Sequence, residues 1–167
     1  MGENGSETVA EEDVAVTVEE RLRELGLVLP APPKPVAAYV PALRSGPYVF
    51  VSGQLPLREG ELRYQGYAGG DLTEEEAYQA ARLACLNCLA AHQTVAPLDA
   101  IRRVVKVTGY VQSAPGFHGQ SRVVNGASEL LLDVFGERGR HARAAVGVSE
   151  LPLGAVVEVE LWTELEA

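Results

Sequence analysis

The chain has 167 residues, 47% of them apolar, and a net charge of −9, which suits one domain with a core of its own. The charge is uneven: residues 1–24 hold eight acids against two Arg, and the remainder holds fifteen acids against twelve bases. That balance, with no run of five or six Lys and Arg, gives an anionic membrane or a nucleic-acid backbone little to attract. Two cysteines are too few to staple a secreted domain, no basic-then-apolar leader opens the chain, and no stretch of ~18 apolar residues could span a bilayer. A cytoplasmic protein is the expectation that remains.

Residues 1–15 are polar, acidic and glycine-bearing, and read as a disordered tail. Residues 16–35 are expected to form a short helix and a proline hinge. Thr17 and Glu20 make a capping-box pattern, Leu22 and Leu25 would anchor one face, and Gly26 supplies the stop. Pro30 to Pro35 must run extended. Residues 36–167 are read as the domain proper. Its first strands are expected at about 37–43 and 47–52 around a Ser45-Gly46 turn, with a weaker one at about 61–64 after Glu59-Gly60. Thr73 and Glu76 repeat the capping box and open an alanine-rich helix to about Thr94. A strand at about 103–112 follows. A helix at about 121–136 then turns Val124, Leu131, Leu132 and Phe135 to the core, and strands at about 142–149 and 155–163 close the chain.

Six strands with two long helices predict an α/β (α+β) domain, one mixed sheet with both helices on a single face. In the last strand Val157, Val159 and Leu161 would face the helices, leaving Val156, Glu158, Glu160 and Trp162 on the other side. In the strand before it, His141, Arg143, Ala145 and Gly147 form one row, and Ala142, Ala144, Val146 and Val148 form the other. The Arg143 row is expected on the far face, covered by a second copy of the chain.

Arg143 is the leading candidate for chemistry. Ala145 and Gly147 beside it would leave open space above the sheet, where a planar fork of donors suits a carboxylate. The plainer alternative is an ion pair with Glu158 or Glu160 on a neighbouring strand. Ser52-Gly53-Gln54 ends a strand with a glycine that lets backbone approach a ligand, or is simply a turn. Cys85 and Cys88 have the C-x-x-C spacing but lie mid-helix among Ala and Leu, where small core residues belong and no dipole lowers a thiol pKa. His92, His118 and His141 lack zinc spacing. His118 and His141 are of the residue type suited to acid–base chemistry near neutral pH, yet no nucleophile–base grouping is legible. No metal or cofactor is implied.

The order of motifs is more specific than any one of them. Tyr39-Val40-Pro41, Val51-Ser52-Gly53-Gln54-Leu55-Pro56, the Thr73-initiated helix and Val-Lys-Val-Thr come first. Val-Val-Asn around Asn125, Ala142-Arg143-Ala144-Ala145-Val146-Gly147-Val148, Leu151-Pro152 and Val157-Glu158-Val159-Glu160 complete it. This series resembles the RidA/YjgF family, also labelled endoribonuclease L-PSP, over roughly residues 30–163. Val-Val-Asn-Gly-Ala-Ser resembles a branch longer at its N-terminus than the imine deaminases proper. The resemblance implies a chorismate-mutase-like fold and a homotrimer, with sheets forming an inner barrel, helices outside and clefts between subunits. It also implies hydrolysis of enamines or imines to 2-oxo acids and ammonia. By position, Arg143 would clamp the substrate carboxylate and Glu158 would orient the attacking water. Ser52 and Gly53 would border the site, Tyr39 would wall it and Asn125 would support it. Where the deaminases commonly carry Cys, two residues after the Arg, this chain has Ala145, whose backbone alone could serve. The span from Asn125 to Arg143 is about one residue longer, and loop 113–120 is reworked.

Three functions are therefore weighed: an imine or enamine hydrolase, a non-catalytic module that binds a small carboxylate such as a 2-imino or 2-oxo acid, and an endoribonuclease. The last is disfavoured by a negative body with three Phe and one Trp, because single-stranded RNA sites combine basic grooves with stacking aromatics.

Overall fold

Local signals set the helices in the computed structural model, which describes residues 15–34 and 38–167. Helix α1 (Val18–Glu24) begins at Thr17 and helix α2 (Glu74–His92) at Thr73, and each shows both halves of the capping box. Two orphan backbone N–H groups are satisfied reciprocally at each start. Helix α3 (Gln120–Phe135) ends at Gly136, whose φ of 58° a side-chain-bearing residue would resist. Val18 and Leu22 of α1 are buried in the common core. The acidic tail lies almost wholly outside the described residues, as does Pro35 at the end of the proline hinge.

The main sheet has five strands in the order β1-β2-β7-β5-β6. These are β1 (Ala42–Ser45), β2 (Tyr48–Gln54), β5 (Ile101–Gln112), β6 (Ala142–Val148) and β7 (Val157–Leu165). The expected sixth strand is not part of it. Leu57–Arg58 (β3) and Glu61–Leu62 (β4) form a separate hairpin, turned by Glu59 and Gly60 with φ of 53° and 78°. The first strand also begins later than expected, at Ala42. Residues 38–41 run alongside β2, with Pro41 accepting a backbone bond from Ser52, and Ala37 lies outside the described residues.

Only β5 and β6 pair in parallel; β1–β2, β2–β7 and β5–β7 are antiparallel. A parallel pair needs a crossover, and α3 is that crossover. The consequence corrects the expected placement of Arg143. Parallel register puts Val107 beside Arg143, Gly109 beside Ala145 and Val111 beside Gly147. Val107 and Val111 are fully buried under the helices, so the Arg143 row faces α3 rather than a second copy. The opposite row, Ala142, Ala144, Val146 and Val148, shares the far face with Glu158, Glu160 and Trp162. Leu132 is also corrected: it is 41% exposed, while Val123, Leu130 and Val134 join Val124, Leu131 and Phe135 in the core.

Helices α2 and α3 pack through Gly126, where a Cβ would collide with the Tyr78 carbonyl. The core beneath them is one cluster of Ala, Val and Leu from α2, α3 and four strands.

Candidate functional site

Arg143 stands on β6, an edge strand, and its residue is exposed. Two groups on α3 hold it. One terminal nitrogen, Nη1, donates to Asn125 Oδ1 at 2.7 Å and to Ser128 Oγ at 3.2 Å. Asn125 and Ser128 are three residues apart, hence on one helix face, and the crossover lays that face over β6. No hydrogen bond engages Nε or Nη2 among the described residues, and no acid lies within ion-pair distance of the guanidinium. The plainer alternative is excluded by topology, since Glu158 and Glu160 lie on the other sheet face and β5 separates their strand from β6.

The network continues. Ser128 Oγ is 2.8 Å from His141 Nε2, and His141 Nδ1 is 2.6 Å from the Gly139 carbonyl. A carbonyl only accepts, so Nδ1 carries the proton and Nε2 accepts from the serine hydroxyl. Burial pushes the His141 pKa down, the Gly139 bond works against that, and the Arg143 charge depresses it further. Neutral imidazole is the resting form. The row beside Arg143 is less open than its small residues suggested: Gln120 from the first turn of α3 lies over Gly147, 2.9 Å from where a Cβ would sit, and Ala145 packs against the core.

A second group of candidates gathers on β2 and β7. A Cβ on Gly53 would collide with the Glu158 carboxylate, so glycine there admits the acid. Glu158 is half-buried, and desolvation, aided by the Glu160 charge, raises its pKa. The Ser52 hydroxyl donates to the Val40 carbonyl at 2.7 Å, tying the Tyr39 segment to β2. Tyr39 is 57% exposed. With Gly53, Leu29, Pro33, Leu86 and Asn87, it lines a cleft of about 810 Å³ under the proline-rich segment. Arg143 and Glu158 do not line that cleft. The fold therefore brings Arg143 to Asn125, and Gly53 to Glu158, but not one group to the other.

Three of the remaining titratable candidates are sealed in the core. Cys85 and Cys88 are sealed in the core; burial lifts Cys85 to about 12 and Cys88 well above its usual range. His92 is fully buried, bonded to Thr163 Oγ1 at 2.8 Å and to the Ala96 carbonyl at 3.1 Å. His118 is exposed. Among the described residues no group of three or more His, Cys, Asp and Glu could hold a metal ion. Nor is any helix there long and apolar enough to cross a membrane.

Sequence reasoning missed Ser128. Its spacing from Asn125 on the predicted helix was the available signal, but only the crossover shows that this face meets Arg143.

Residues 19–165 match the family described as "YjgF/chorismate mutase-like, putative endoribonuclease". Protein TCP17 of Trypanosoma cruzi is 46% identical over 150 residues, spanning 89% of this chain and 94% of that protein. The crystal structure of a protein of unknown function from Agrobacterium tumefaciens superposes with a TM-score of 0.83 at 43% identity, covering 90% of this chain and 93% of its own. A "putative endoribonuclease" from Shewanella oneidensis superposes with a TM-score of 0.86 at 37% identity, covering 89% and 99%.

Proposed function

The chain belongs to the YjgF/chorismate-mutase-like family, and on that premise we propose that it acts as a homotrimer binding a small carboxylate at Arg143 and hydrolysing its C=N bond. The substrate class is a 2-imino acid, or a 2-enamino acid once a proton from water at C3 has turned it into the imine, and the products are a 2-oxo acid and ammonia. The observation that carries this reading is the Arg143 guanidinium, anchored through one nitrogen by Asn125 and Ser128 with the rest of its fork unengaged by any described residue. A carboxylate presented to that fork gains a charge-assisted bond worth roughly 1.5–3 kcal/mol.

Assembly gives the second group a place in the reading. Arg143 lies on one edge strand, and Tyr39, Ser52 and Gly53 lie toward the other edge. In a closed ring the first edge of one copy meets the second edge of the next. A cleft there would set Arg143, Asn125 and the Ala145 backbone opposite Tyr39, Ser52, Gly53 and Glu158. An iminium is already electrophilic, so holding the carboxylate and one water supplies much of the catalysis. Glu158, whose carboxyl is raised above its usual range by desolvation and the Glu160 charge and so is a better base than an exposed glutamate, would take the water's proton and return it to the departing amine.

Release of ammonia from 2-aminoacrylate generated in situ by a dehydratase tests this directly. Acceleration over buffer, lost in Arg143→Ala and Glu158→Gln, is expected; no acceleration at any protein level would remove the hydrolase. A non-catalytic carboxylate-binding module is the second reading, favoured by Ala145 where the deaminases commonly carry Cys. Binding of 2-oxo acids without turnover selects it. Although solved structures similar to it carry the name endoribonuclease, the net charge of −9 gives this chain little hold on RNA, and cleavage of unstructured RNA by nuclease-free protein would revive that activity.

A further inference from the structure

We infer that Ser128 and His141 complete the anion site as a proton-gated second donor: the Ser128 hydroxyl turns from His141 to a carboxylate on Arg143 when the imidazole gains a proton. The inference rests on Arg143 being the carboxylate-binding group and names what regulates that site. Its geometry is a continuous chain of bonds, from Arg143 Nη1 to Ser128 Oγ, Ser128 Oγ to His141 Nε2, and His141 Nδ1 to the Gly139 carbonyl.

Donor arithmetic fixes how the chain can switch. In the neutral form Nε2 is a bare acceptor, and the single hydroxyl hydrogen of Ser128 is committed to it. Ser128 then accepts from Arg143 and has no hydrogen to offer a ligand. Once Nε2 is protonated it donates to Ser128 Oγ, which accepts from both cations and releases its hydrogen outward. The nearest place for it is an anion on the same guanidinium. A fixed tautomer makes this possible: the Gly139 carbonyl holds Nδ1–H in both states, so the ring gains its proton at Nε2 without turning over.

The charges around His141 give the sign. Arg143, two residues on in β6, is the cation that bears on it. Helix α3 presents the neutral Ser128 and Asn125, and the preceding turn presents a carbonyl. On β5, Lys106 pairs with Ala142 and points to the far sheet face, over the Trp162 ring. A carboxylate that neutralises Arg143 therefore makes His141 easier to protonate. By reciprocity, protonated His141 holds the carboxylate more tightly. Binding takes up a proton, and affinity rises as pH falls.

Calorimetry of 2-oxobutanoate binding to the intact protein between pH 8 and pH 5.5, in buffers of contrasting ionisation enthalpy, tests this. This ligand stays ionised throughout, so it contributes no titration of its own. The expected result is net proton uptake and affinity about fivefold tighter at the acid end, the low end of usual coupling factors. His141→Gln and Ser128→Ala should each lose the acid-side tightening, and the wild-type His141 imidazole resonances should titrate at higher pH with ligand than without. Wild-type binding that is flat with pH, without proton uptake, overturns the gate while leaving Arg143 as the anion site. Tightening that survives in His141→Gln overturns it too and moves the titration to Glu158. Absence of binding at every pH overturns both the gate and the reading it rests on.

Discussion

Arg143 shows what one residue acquires from its surroundings. On β6 alone it would be a long cation on an edge strand, free to wander. Asn125 and Ser128 take one nitrogen and leave the planar fork aligned. Arg143→Lys keeps the charge and loses the fork, so 2-oxobutanoate affinity should fall tenfold or more, since each ~1.4 kcal/mol is a factor of ten. Arg143 stood out as a candidate from its Ala-Arg-Ala-Ala-Val-Gly setting; Ser128, fifteen positions earlier, did not, because only the packing of α3 against β6 brings the two together. His92 carries a different consequence. Its pKa is pushed down to about 4 by burial, so the unfolded chain binds a proton that the fold refuses. Stability is fully present above the unfolded value near 6.5 and drains away as pH falls through that value toward 4. The urea midpoint should therefore drop between pH 7 and pH 5, and His92→Gln should flatten that slope. An unchanged slope would mean His92 does not titrate with folding.

Among the elements, the helices were the most legible because their starts are written locally. Both capping boxes stand where Thr and Glu are spaced by three. Thr73→Ala should cost about 1 kcal/mol in chemical denaturation, and restoration by Thr73→Ser would tie the loss to the cap. The strands were less legible at their edges. Residues 38–41 have strand-like composition, yet Pro41 lacks an N–H and the ladder starts only at Ala42. Alternation placed the Arg143 row on the wrong face because periodicity defines two faces without saying which one the helices cover. The parallel register decides it. Gly126 is the sharpest packing constraint: Gly126→Ala forces α2 and α3 apart and should destabilise by about 1–3 kcal/mol. A neutral result would show that the helices slide to make room.

At the scale of the whole molecule, one sheet face lacks a cover from any described element. Phe50 and Trp162 meet edge to face at 5.2 Å there, with Lys106 over the indole, and Trp162, Val146 and Tyr48 are 37–43% exposed. An apolar surface of this kind marks an interface, which agrees with the proposed ring of three. Sedimentation should give three times the chain mass, and Trp162→Asp should yield smaller species. A monomeric wild type would leave Tyr39, Ser52, Gly53 and Glu158 stranded from Arg143 and remove the shared cleft. The fold class was readable from motif order, whereas the separation of Arg143 from the Gly53–Glu158 pair was not, since a linear pattern does not give strand order. Docking of a small carboxylate on Arg143 is open to a single titration, of 2-oxobutanoate into wild-type protein and into Arg143→Ala under identical conditions. Saturable binding to the wild type that vanishes in the variant is the predicted result; equal binding by both proteins, or none by either, would contradict it.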